Sequence, residues 1–161
     1  MKKIAFILFL FFFFCTSVFS QTNFNVEIDT GLLAIKKDAG FVFSGTISYT
    51  ASNKVTPYVN YLYSNIESND SDLKYDFSKI SIGTYYGLSE GNITLSSITG
   101  FSYLFFDNST VNSNALGIDL GILVNFNNDK RFSYGFKLIN TFSAESNGGI
   151  LQSGIFFKYA L

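Results

Sequence analysis

The sequence runs to 161 residues with a formal net charge of −1, and it is 47 % hydrophobic and 19 % aromatic. So even a charge balance argues against nucleic acid as a partner. The sequence contains no histidine, which removes the commonest general base and the commonest transition-metal ligand together.

Lys2 and Lys3 precede an unbroken apolar run from Ile4 to Phe14, and small or polar residues then lead to Val18-Phe19-Ser20. This order predicts a secretory signal peptide over residues 1–20, cleaved after Ser20. Eleven apolar residues fall short of the ~20 that a transmembrane helix needs. Phe12, Phe13 and Phe14 are too bulky for a lipid-attachment signal before Cys15. Residues 21–161 are expected to form one domain. Without Lys2 and Lys3 that domain keeps nine basic residues against twelve acidic ones, a net of −3, and no cysteine. Disulfides and thiolate chemistry are therefore not expected.

Period-two alternation then runs through the rest of the chain. Phe24, Val26 and Ile28 make the first large face. Phe41, Phe43, Ile47 and Tyr49 make the second; Val55, Pro57, Val59, Tyr61 and Tyr63 the third; Ile80, Ile82, Thr84 and Tyr86 the fourth. Ile93, Leu95, Phe101, Tyr103 and Phe105 follow, then Leu116 to Phe126, Phe132 to Leu138, and a last strand ending at Leu161. Most of the eight strands are longer than the ~5–6 residues of an ordinary globular strand. Tight turns at Ser52 to Lys54, Ser89 to Gly91 and Asn127 to Arg131 alternate with longer polar loops at Glu67 to Leu73, Asp107 to Asn114 and Ala144 to Gly149. Lys36 to Gly40 is a short exception on the long-loop side. This layout predicts an all-β fold, an eight-stranded antiparallel up-and-down transmembrane barrel.

Pattern alone does not say which face meets solvent. The small-polar face carries Gly83, Gly87, Gly100, Gly117, Gly121, Gly135 and Gly154, which make room where side chains converge in a narrow lumen. The large face is almost free of charge, as a lipid-facing surface requires; Gly45 interrupts it. In this register Glu27, Asp29 and Asp119 point inward with Lys79, Lys137 and Lys158. Buried ions need partners. Asp119 and Lys137 are expected opposite or one diagonal step apart, and Glu27 and Lys158 become neighbours once the sheet closes. Such an interior reads as a plugged core. The alternatives are a narrow porin-like channel and a soluble lipocalin-like ligand-binding barrel. Aromatic rings at Tyr49, Tyr86, Phe126, Phe132 and Tyr159 fall near one rim, and Tyr63, Tyr103, Phe105 and Phe142 nearer the other.

The ending Gln152-x-Gly154-x-x-Phe157-x-Tyr159 resembles the C-terminal assembly signal of outer-membrane barrels, although the last residue is Leu161 and not an aromatic. With the signal peptide and eight strands, residues 21–161 resemble the small OmpA/OmpX-type barrels of Gram-negative outer membranes. The resemblance implies a cell-envelope protein, held in outer-membrane lipid and inserted by the barrel-assembly machinery. It implies a structural or surface-contact role carried by the loops. Some barrels of this kind are enzymes acting on lipid A, but a Ser–His arrangement cannot be built from this sequence. No enzymatic activity and no cofactor are expected. Asn69, Asp70, Ser71, Asp72 and Asp76 cluster oxygen atoms, yet without the glycine and terminal glutamate of a dedicated calcium loop; no metal is expected there.

Overall fold

The computed structural model describes residues 23–68, 74–107, 112–127, 131–143 and 149–161. The expected signal peptide lies outside the described residues. Eight strands follow one another: β1 (Phe24–Ile35), β2 (Asp38–Tyr49), β3 (Val55–Glu67), β4 (Lys74–Gly87), β5 (Ile93–Asp107), β6 (Asn112–Asn127), β7 (Phe132–Ser143) and β8 (Ile150–Ala160). Each pairs antiparallel with its sequence neighbour, and β1 pairs with β8 from Asn25↔Ala160 to Ile35↔Ile150. The sheet is therefore closed and has no free edge. The expected fold class is the observed one.

The strands are longer than the alternation predicts, and the excess lies at the long-loop end. β1 continues past Asp29 to Ile35 and turns through Lys36 and Lys37 alone. There Leu32 and Ala34 point outward while Leu33 and Ile35 point inward, so both faces are apolar and the period-two signal vanishes. β3 and β4 pair as far as Glu67↔Lys74, and β5 and β6 as far as Asp107↔Asn112. The ladder takes in polar residues that by composition alone read as loop.

Outward positions carry the large faces. Phe41, Leu116 and Phe101 expose 80 %, 76 % and 74 % of their surface. An apolar surface of this extent would drive association in water, whereas hydrocarbon solvates it. Along β3 the outward series ends at Tyr63, and Asn65 and Glu67 follow; across from them, Asp76 and Lys74 do the same on β4. The β3–β4 hairpin thus extends beyond the apolar band.

The interior is layered, and more apolar than the small-polar reading of that face anticipates. Leu33, Ile35, Val42, Leu62, Ile66, Phe77, Leu104, Ala115 and Ile150 form a buried cluster toward the long-loop end. Tyr58, Tyr85, Ile98, Leu123, Ile139 and Phe156 form a second toward the opposite end. Inward glycines make room for the larger of these. A Cβ at Gly83 or Gly100 would stand 2.7 Å or 2.9 Å from the Tyr58 hydroxyl, and Tyr58 stacks on Tyr85 with centroids 4.4 Å apart. At Gly135 a Cβ would lie 2.8 Å from Cζ of Phe156 and would meet the Val124 carbonyl oxygen.

These contacts separate two glycine substitutions. Gly135→Ala should destabilise the barrel by about 1–3 kcal/mol through overpacking. Gly45 points outward with nothing within 4 Å of its Cβ position, so Gly45→Ala should be neutral or stabilise by up to about 1 kcal/mol. Urea unfolding in micelles measures both, and equal losses at the two positions would contradict the assignment of faces.

Candidate functional site

Between the two apolar clusters lies a belt of polar side chains. Glu27, Asp29, Lys79, Asp119 and Lys137 are all buried, with Lys137 3 % and Asp119 0 % exposed. Lys158 is half-buried. Lys137 on β7 forms ion pairs with two carboxylates of β1, Glu27 and, at 2.9 Å, Asp29. It stands directly across from Gly154 of β8, and that missing side chain clears the way over β8 to β1. Its ammonium also lies 5.8 Å and 6.0 Å from the ring centroids of Phe156 and Tyr85, within cation–π range.

Lys79 reaches from β4 across the lumen. Its Nζ lies 3.4 Å from Asp119 Oδ1 and donates to Thr141 Oγ1 at 3.1 Å and to Gln152 Oε1 at 3.5 Å. Asp119 Oδ1 also accepts from Ser102 Oγ at 3.2 Å and from Thr141 Oγ1 at 2.5 Å. Gln152 joins the halves, because its Nε2 donates to Asp29 Oδ1 at 3.4 Å. On the other flank Ser44 Oγ donates to Asp29 Oδ2 at 2.5 Å, and Asn60 Nδ2 donates to Ser44 Oγ at 3.0 Å and to Thr46 Oγ1 at 2.8 Å.

The pairing differs from the one the sequence predicts. Asp119 faces Thr141 and Lys137 faces Leu123, so the two ions stand two same-face steps apart. The register places Phe126 opposite Tyr134, two residues on from the Phe126↔Phe132 pairing of a hairpin closed around Asn127 to Arg131. Asp119 of β6 therefore pairs with Lys79 of β4, over the intervening strand β5. Glu27 and Lys158 are directly opposite across the closing seam, but the Glu27 carboxylate is engaged by Lys137. Sequence reasoning missed Thr141, Ser102, Ser44 and Asn60; their inward phase was their only signal.

The C-terminal residues divide between the two faces. Phe157 and Tyr159 point outward and Gln152 inward; Gly154 faces Gly31 of β1. A Cβ on Gly31 would lie 2.5 Å from the Cα of Gly154, so the seam closes where both strands lack side chains. Gln152 has a structural reason to be polar, since it is 2 % exposed and hydrogen-bonded to both halves of the belt.

Outside the lumen, at the long-loop end, Lys74 pairs with Glu67 at 2.5 Å. Asp76 accepts from Tyr63 Oη and from Asn65 Nδ2, each at 2.8 Å. Residues 69–73, the rest of the oxygen-rich loop, lie outside the described residues. Among the described residues no group of three or more His, Cys, Asp or Glu is disposed to hold a metal ion.

No protein-family model matches the sequence, and no curated protein matches it. Solved structures do match in shape. A major outer membrane protein from Thermus thermophilus superposes with a TM-score of 0.66 at 14 % identity, over 88 % of this chain and 100 % of that one. Neisserial surface protein A matches with a TM-score of 0.65 at 13 % identity, over 87 % and 98 %. The outer membrane enzyme PagL matches with a TM-score of 0.55 at 18 % identity, over 85 % and 99 %. At these identities the likeness is one of fold: this chain has the architecture of the small eight-stranded outer-membrane barrels, which hosts an enzyme as well as proteins with no stated activity.

The charges can be tested at two depths. In the lumen, Lys137→Met strands Glu27 and Asp29 and should cost about 3–5 kcal/mol of stability; adding Glu27→Gln should recover part of it. Urea unfolding reads both, and a single variant as stable as the parent would refute the pairing. At the rim, hydrogen bonds from Asn65 and then Tyr63 hold the Asp76 carboxyl below its usual range, and the hydrogen bond from Lys74 lowers Glu67 likewise. Folded-state values below the unfolded ones mean stabilisation that is present above the ordinary carboxylate range and lost as pH falls below ~4. Amide exchange at Asn65–Glu67 and Lys74–Asp76 should be flat from neutral pH down to ~5 and accelerate below ~4, beyond the intrinsic pH dependence. Protection unchanged at low pH would show that these contacts do not order the hairpin.

Proposed function

We propose that this chain is an integral protein of the outer membrane with no enzymatic activity, a closed lumen, and a structural or surface-contact role carried by its loops. The observation that carries the reading is the filling of the lumen. A hydrogen-bonded belt of paired ions lies between two apolar clusters, while the apolar side chains on the outside suit lipid. A conducting path needs a continuous wet lumen, and Phe77, Phe156 and Lys79 are among the largest fully buried side chains. The lack of histidine argues against the Ser–His chemistry of lipid-hydrolysing barrels, even though PagL shows that the fold accommodates an enzyme. The proposal includes export by a signal peptide cleaved after Ser20, outer-membrane lipid as the solvent of the outer face, and the barrel-insertion machinery as the partner in assembly, with Gln152, Gly154, Phe157 and Tyr159 as its signal.

The test has two parts. Protein extracted from the outer-membrane fraction of a Gram-negative host should migrate differently on a denaturing gel before and after boiling, because a closed barrel resists the detergent until heated. In planar bilayers, the parent and Lys137→Met should both give conductance near zero. A soluble protein without a heat shift would overturn the membrane assignment, and a stable, ion-selective current would overturn the closed lumen.

A further inference from the structure

On β7, β8 and β1 three outward side chains within the apolar face are polar, and they lie in one diagonal row. Asn140 faces Leu151; Ser153 faces Leu138 on one side and Leu32 on the other; Thr30 faces Ile155. Ser153 is thus one diagonal step from Asn140 and one from Thr30. The four apolar residues around the row each expose between 41 % and 56 % of their surface. Hydrocarbon offers no hydrogen bond, so an unpaired amide or hydroxyl costs free energy there. Thr30 limits that cost by donating to the Val42 carbonyl at 3.0 Å. Asn140 and Ser153 have no side-chain hydrogen bond among the described residues. A Cβ at Gly149 would stand 2.5 Å from Asn140 Oδ1, so the glycine keeps the amide uncovered.

The same face has the relief of a contact surface. A groove of about 650 Å³ crosses the closing seam, with Thr30, Ser153, Gly31 and Gly154 among its lining and Phe41 at its edge. Phe41 is the most exposed of the large apolar side chains. At ~150–250 Å² for a fully exposed large side chain, the four flanking residues with Phe41, Phe43 and Phe136 offer roughly 700 Å². A specific interface buries about 800 Å² per partner. A two-fold contact repeats one patch on both copies, and the row suits that symmetry, with one polar group at its centre and one on either side. An axis along β8 sets Ser153 against its own copy. It also sets each Asn140 against Thr30 of the partner subunit. Asn140 Nδ2 then has an acceptor, because the hydroxyl oxygen keeps its lone pairs while its proton goes to Val42.

We propose that the outward face of β7, β8 and β1 docks a second copy of this chain, forming a two-fold dimer within the membrane. Ser153 lies at its axis, and Asn140 and Thr30 pair between the copies. The dimer rests on the membrane reading above. In hydrocarbon the hydrophobic effect does not hold subunits together, and close packing with hydrogen bonds between them takes its place. Asn140 then has a reason to be an amide on a face that otherwise favours leucine.

Sedimentation equilibrium of the barrel in density-matched neutral micelles tests this, with the heat shift first verifying that each sample is folded. The parent should show a reversible monomer–dimer equilibrium. Asn140→Leu should weaken it about 3- to 30-fold, and Ser153→Leu, which fills the centre of the contact, should abolish it. Both variants should keep the heat shift, because a leucine facing lipid leaves the single barrel intact. Thr99→Leu, an outward polar position on β5, should dimerise like the parent. A folded parent that stays monomeric at every concentration would overturn the dimer and leave the barrel standing. So would Asn140→Leu dimerising as tightly as the parent, or Thr99→Leu losing as much as Asn140→Leu. Oxidation in outer-membrane fractions names the occupant. Residues 21–161 contain no cysteine, so Ser153→Cys should give an adduct of twice the chain mass and Thr99→Cys none. An adduct of Ser153→Cys with a different polypeptide would assign the face to that partner and overturn the second copy. A missing heat shift in the parent would remove the membrane reading itself.

Discussion

Every strand of the barrel contributes a side chain to one hydrogen-bonded belt. Glu27 and Asp29 come from β1, Ser44 and Thr46 from β2, Asn60 from β3 and Lys79 from β4; Ser102, Asp119, Lys137 with Thr141, and Gln152 come from β5 to β8. No hairpin contains the whole set, and none of the belt's three ion pairs joins adjacent strands. Glu27 and Asp29 meet Lys137 only when β1 has closed onto β8. Lys79 meets Asp119 over the intervening strand β5. The belt is therefore a test of correct closure: an open sheet or a slipped register leaves ions in the lumen without partners, at a cost of several kcal/mol.

That constraint explains the distribution of small residues. Long cationic side chains can cross the lumen only where the wall gives way. Gly154 opens β8 beside Lys137, and Gly83 with Gly100 opens the β4–β5 wall to the Tyr58 hydroxyl. The apolar clusters above and below exclude water from the belt, which strengthens the charge interactions and raises the penalty for breaking them. Specific pairing and apolar capping work together here. A pore of this diameter would need neither.

Much of this was legible in the sequence, for physical reasons. An outward face that must be apolar and an inward face that must be small or polar leave a period-two signature, so strand number, closure and the inward phase of all six charges could be read directly. The signature fails where both faces are apolar, as from Leu32 to Ile35, and inverts where the outward face turns polar around an inward Ile66, as at Asn65 to Glu67; the strands run on through both stretches. Ion pairing was less legible. Neighbours along a hairpin can be counted from turn length, but a two-residue shift of register moves Asp119 from the vicinity of Lys137 to Thr141. Its partnership with Lys79 depends on strands 40 residues apart in sequence. The layered apolar interior was hidden because Leu62 and Leu123 sit between outward residues just as apolar as themselves.

The molecule is inside out relative to a soluble protein, with its charges within and its apolar side chains facing hydrocarbon. The sequence contains no tryptophan, so a single introduced indole reports without background. Leu120 points outward from the middle of β6 and is 47 % exposed. Leu120→Trp, folded into vesicles, should have its fluorescence strongly quenched by lipids brominated at mid-chain and should be insensitive to aqueous iodide. Quenching by iodide with no response to brominated lipid would put that face in water and contradict the assignment.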